Sequence, residues 1–157
     1  MYYPSKEKIE NIIKDALDKL IVNDAILFEV DINERSITHM LALYLHEYFV
    51  GWNVDCEYNR DNHEAKWLIL PKDRYHPDLT DISAKTVYPD IIVHHRGTDE
   101  NLLVIEAKKE NGMNLANYDI AKLKGFKKEL SYQHAVLIKF FDGSCPRYEI
   151  CFINNNA

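Results

Sequence analysis

Apolar residues recur along the chain first at helical and then at strand spacing. After Ser5, a plausible N-cap, Ile9, Ile12, Ile13, Ala16, Leu17 and Leu20 repeat at intervals of three, four and seven, which predicts an amphipathic helix over about 5–22. Ala25-Ile26-Leu27-Phe28 reads as a short apolar connector. A second helix is expected over about 33–49, with Ile37, Leu41, Tyr44, Leu45 and Tyr48 on its apolar face. Gly51 follows its end, where positive φ is often needed.

The period then shortens to that of strands. Trp52 to Tyr58, Trp67 to Leu70, Tyr88 to His95 and Leu102 to Lys108 read as strands, and residues 72–87 as a long polar loop. His95 to Asn101 is the turn between the last two of these. A third helix is expected over about 114–130, with Asp119, Leu123, Phe126 and Leu130 on one side. His134 to Phe141 and Arg147 to Ile153 close the chain as strands, with Asp142-Gly143 suited to the turn. The order α-α-β-β-β-β-α-β-β, without repeat or linker, predicts one α/β domain over 1–157, a mixed central sheet flanked by helices.

Composition narrows the class. With 46% hydrophobic and 28% charged residues the chain is ordinary globular protein. No run of about 18 apolar residues suggests a membrane span. The N-terminus lacks the basic start and apolar stretch of a secretory signal, so a cytoplasmic protein is expected. Cys56, Cys145 and Cys151 are too few and scattered for a disulfide framework or zinc site. A net charge of -6 argues against a protein that coats nucleic acid, but leaves room for a local basic groove beside an acidic site.

The chemistry concentrates in two neighbouring strands. Asp90, Ile92 and His94 alternate onto one face, as do Glu106 and Lys108. A turn centred on Thr98 sets His94 opposite Leu102, Ile92 opposite Val104 and Asp90 opposite Glu106. Two carboxylates would then face each other across a strand pair, which is destabilising unless something offsets the repulsion. A divalent cation held between their oxygens does so. A simpler arrangement is a solvated edge pair with Lys108 as neutralising neighbour, but the apolar runs Ile91-Ile92-Val93 and Leu102-Leu103-Val104-Ile105 argue for interior strands.

Pro89-Asp90 and, sixteen positions after Asp90, Glu106-Ala107-Lys108 resemble the signature of the PD-(D/E)XK nuclease superfamily. The order of elements over about 30–153 is similar too. The resemblance implies a restriction-endonuclease-like core and a Mg²⁺- or Mn²⁺-dependent nuclease, an endonuclease ahead of an exonuclease. It implies Asp90, Glu106 and the Ala107 carbonyl as metal ligands, and Lys108 as the residue that assists the attacking water. Many members add an acid from the preceding helix, and Glu34 fits; Asp31-x-x-Glu34 equally fits a capping box. The Gln and Tyr that exonuclease-like members carry four apart on the following helix are absent from Tyr118-Asp119-Ile120-Ala121-Lys122-Leu123.

Tyr58, Arg60 and Lys122 are weaker candidates for substrate contact, and Lys124, Lys127 and Lys128 form either a phosphate groove or a solvated helix face. The expected partners are DNA first and RNA second, with no membrane and a homodimer allowed. The rival reading is a binding or assembly module that keeps the nuclease fold without turnover.

Overall fold

A computed structural model describes residues 2–29, 34–143 and 145–155. The long first helix, α1 (Lys6–Asn23), starts where Ser5 accepts a hydrogen bond from the Lys8 N–H, and buries Ile9, Ile13, Ala16, Leu17 and Leu20. Residues expected to be a connector form instead a single helical turn, α2 (Ile26–Glu29), which buries Phe28. The next helix, α3 (Glu34–Tyr48), buries Ile37, Leu41 and Leu45 on the face the spacing gave it. Gly51 follows with φ +85°, a left-handed conformation that a side chain would strain. The capping box proposed for Asp31 lies outside the described residues.

Nine strands follow among the described residues: β1 (Asn53–Cys56), β2 (Arg60–Asp61), β3 (Glu64–Ala65), β4 (Trp67–Pro71), β5 (Ile82–Thr86), β6 (Ile91–His94), β7 (Asn101–Lys109), β8 (His134–Phe141) and β9 (Arg147–Phe152). The main sheet has five strands in the order β1-β6-β7-β8-β9. It is mixed: β7 and β8 run parallel, joined by α4 (Ala116–Glu129), and the other pairs are antiparallel. The molecule is therefore α/β, with a mixed sheet between helices. Two small hairpins, β2-β3 and β4-β5, stand beside it.

The segment read as a loop over 72–87 is corrected here, because its second half is β5, paired along its length with β4. In Ile82-Ser-Ala-Lys-Thr there is one large apolar residue and no buried face, so alternation could not reveal the strand.

The sheet is covered on both sides. One core joins α1 and α3 to Ile91, Val93, Leu103, Ile105, Ala107, Val136 and Ile138. The other joins α4 and β4 to Ile92, Val104, Ala135 and Leu137. The alternation of β7 therefore sends Glu106 and Lys108, like Val104, toward α4. Gly125 lets the same helix close on β4: a Cβ there would lie 3.1 Å from Leu68 Cδ1.

Candidate active site

The β6-β7 register places the two strands as the turn implied. Ile92 faces Val104 and Ile91 faces Ile105. His94 pairs with Asn101 rather than Leu102, because a bulge between Val93 and His94 absorbs one residue at the turn end. At the other end the strand stops at Ile91. Asp90 precedes it, and its carboxylate bends onto the neighbouring backbone: Ala107 N–H donates to Asp90 Oδ2 at 2.8 Å. The expected direct face-to-face pair of Asp90 and Glu106 is thus modified. Asp90 lies just outside the paired register, and its carboxylate accepts from the main chain of β7 beside Glu106.

Glu106 lies under α4 and is 1% exposed. Its Oε1 stands 2.8 Å from Lys122 Nζ, and the same ammonium donates to the Tyr88 carbonyl at 2.9 Å. Burial pushes the Glu106 carboxyl up to about 8; Lys122 opposes this, while Asp90 and Asp119 add to it. Although burial works against its charge, Lys122 is held above the usual lysine range by Glu106.

Lys108 Nζ lies 3.1 Å from Asp119 Oδ2 and 3.6 Å from Glu34 Oε1. Burial disfavours its charge, but Asp119 and Glu34 raise its pKa overall. Burial likewise raises Asp119, against the pull of Lys108. Glu34 reaches the site from the first turn of α3, where its Oε2 accepts from the Lys109 N–H at 3.0 Å. Its carboxylate therefore bridges α3 to the end of β7.

The structure thus brings Glu34, Asp90, Glu106 and Lys108 together, and Ala107 lies between the last two. It adds Asp119, which had been read only as part of a helix face. The signal was present: an acid one turn before Leu123 and two before Phe126 must share their buried side. Lys122, expected as a weak substrate contact that could face the site, is ion-paired with Glu106 and lines a cleft.

Tyr58 and Arg60 stand elsewhere. The Tyr58 ring packs edge-on to His94 at 4.8 Å, at the far end of β6 from Asp90, about 13 Å along the strand. Arg60 is exposed on the β2-β3 hairpin, where its carbonyl accepts from Lys66 Nζ. Lys127 donates to the Ile153 carbonyl at 3.3 Å, and Lys128 is exposed. His94 is engaged with Asp55 at 2.8 Å, while His95 stacks on Trp52 at 4.0 Å.

Comparison with family models, curated proteins and solved structures finds no match.

The donor set suits a hard cation, which prefers carboxylate and carbonyl oxygens. Four carboxylates face two ammonium groups, an excess of negative charge when all are ionised. Glu106 Oε1 and Asp119 Oδ2 are buried and meet their lysines as ion pairs, without completing an aligned hydrogen bond. Among the described residues, however, no three His, Cys, Asp or Glu side chains converge closely enough to hold a metal as they stand. The reason is visible in the partners. Asp90 is turned to Ala107 N–H, Glu106 to Lys122, Asp119 to Lys108 and Glu34 to Lys109 N–H.

Proposed function

We propose that this chain is a divalent-metal-dependent nuclease with a restriction-endonuclease-like core, acting on DNA in preference to RNA. The observation that carries the reading is the conjunction at one end of the β6-β7 pair. Asp90 is bound to Ala107 N–H, Glu106 is buried beside it, and Lys108 is held between Asp119 and Glu34. The mixed sheet, with an antiparallel β6-β7 pair followed by a helix and a parallel strand, supports the fold assignment.

Asp90, Glu106 and the Ala107 carbonyl would hold Mg²⁺ or Mn²⁺, with Glu34 nearby. Bound there, such an ion polarises a phosphoryl oxygen and lowers the pKa of its water. The chain's own residues do the rest. The Asp90 contact fixes the edge of β7 from which the Ala107 carbonyl emerges, since one residue's N–H and C=O leave a strand on the same side. Lys108, kept cationic by Asp119 and Glu34, places a positive charge and N–H donors where a phosphodiester oxygen or attacking water would stand. Lys122 keeps buried Glu106 from being an isolated charge.

A cleavage panel of linear, nicked, branched and single-stranded DNA and of RNA, with Mg²⁺ and with Mn²⁺, tests this. Metal-dependent hydrolysis of at least one substrate is expected, and no hydrolysis of any with either metal would reject it. One observation favours the second reading, a module that keeps the fold without turnover: Lys122 already provides Glu106 with a cation at 2.8 Å. In that case millimolar Mn²⁺ would leave the melting temperature unchanged, whereas an active metal site raises it.

A further inference from the structure

We propose that the cleft between the β4-β5 hairpin and α4 grips one unpaired nucleic-acid strand and leads it to Glu106 and Lys108. This deepens the nuclease reading, and rests on it only for what then happens to the strand.

The cleft has a volume of about 620 Å³ and opens to solvent. Its cations come from three separate elements: Arg35 from α3, Arg74 and Lys85 from the β4-β5 hairpin and its loop, and Lys122 from α4. The one lining acid, Glu57, is paired with Arg35 at 3.3 Å. In a chain of net charge -6, this concentration of positive charge is local and out of keeping with the whole.

Two of these cations share one aromatic ring. Arg74 Cζ lies 5.3 Å and Lys85 Nζ 5.5 Å from the centre of Tyr118. The ring favours each cation and gathers both at the wall of the cleft. Lys85 is set in place by the carbonyls of Pro71 and Lys72, at 2.9 and 3.0 Å. The hairpin therefore presents its charge at a fixed position. Lys122, at the inner wall, touches both the cleft and Glu106. A chain of phosphates lying along the cleft would reach the carboxylates directly.

The aromatic content decides between one strand and two. Tyr88 is 57% exposed at the cleft, two residues before Asp90, although its carbonyl is tied to Lys122. A flat ring free on a rigid backbone beside a cationic track is the pairing that holds unstacked bases. Glu106 and Asp119, 1% and 3% exposed, lie beneath the surface. One extended strand can bend down to them, while the rigid cylinder of a duplex presents its phosphates outside and keeps its bases from Tyr88.

The test is fluorescence anisotropy with a labelled mixed-sequence single-stranded DNA 20-mer and with its duplex, in chelator, over a range of salt. The proteins are wild type, Arg74→Ala, Arg74→Gln and Tyr88→Ala, each checked by thermal melt. Wild type should bind the single strand at least about tenfold more tightly than the duplex, and Tyr88→Ala should lose about tenfold on the single strand. Arg74→Ala and Arg74→Gln should each reduce the salt slope by about 0.7, one phosphate contact on a single strand. Equal or tighter duplex binding, or unaltered binding in all three folded variants, overturns the proposal. Binding as expected with no cleavage under any metal upholds the cleft and rejects the nuclease reading. Cleavage that is metal-dependent but indifferent to Arg74 and Tyr88 rejects the cleft and upholds the nuclease.

Discussion

Lys122 Nζ, reaching in from α4, stands 2.8 Å from Oε1 of the buried Glu106. Removing the lysine leaves a buried carboxylate with no cation, which either protonates or destabilises the fold. Lys122→Met should therefore lower stability, and Glu106→Gln added to it should restore part of the loss. Urea melts of wild type, both single variants and the double should give a coupling of about 0.5–3 kcal/mol. Additive losses would mean that the two groups do not interact.

Asp90 separates charge from hydrogen bonding. Asp90→Asn keeps an oxygen for the Ala107 N–H while removing a negative charge near Glu106. In chelator it should be as stable as wild type or more so. Asp90→Ala leaves that N–H without its acceptor and should lose about 1–3 kcal/mol. Equal losses in the two variants, read from chemical denaturation, would contradict this division.

Lys66 gives a pH signature remote from the site. It is 1% exposed, lies 5.0 Å from the Tyr58 ring, and burial lowers its pKa from 10.5 to about 8. The folded state then binds fewer protons than the unfolded between about 8 and 10.5, so stability rises with pH across that window. Below it the charged amine costs up to roughly 3 kcal/mol, and above it nothing. Lys66→Met should raise stability at pH 7, with the gain shrinking as pH climbs toward 10.5. A gain that is absent at pH 7, or constant with pH, would contradict the burial of a charged lysine.

The three long helices and the β6-β7 hairpin were legible because one physical pattern fixed each. Ile37, Leu41 and Leu45 could bury together only on a helix, and the alternation of Ile92 against Val104 survived the bulge because the extra residue was absorbed at the turn. The spacing put Asp90 at the Glu106 end of the strand pair, but its bond to the Ala107 main chain depends on where β6 stops, which alternation does not specify. Asp119 and Lys122 were legible only in part: spacing put Asp119 on the buried side of its helix and Lys122 among the candidates, but not their ion pairs with Lys108 and Glu106. Which β7 side chain each one meets depends on how α4 is laid over the sheet, a tertiary relation that its own spacing does not specify. Tyr58 and Arg60 looked close to the site because they end a strand. The chain turns away there into the β2-β3 hairpin.

The central claim is that Glu106 and Lys108 form the working part of a metal-dependent phosphodiester hydrolase. Its most direct test is the single-turnover cleavage rate, with Mn²⁺, of wild type, Glu106→Gln and Lys108→Ala purified identically. Wild type should cleave, and Glu106→Gln should be inactive. Lys108→Ala should be slower by about 10²-fold or more, the usual scale for losing one preorganised electrostatic or proton-transfer group. Wild-type rates in both variants, or no Mn²⁺-dependent cleavage by the wild-type protein, would contradict the account.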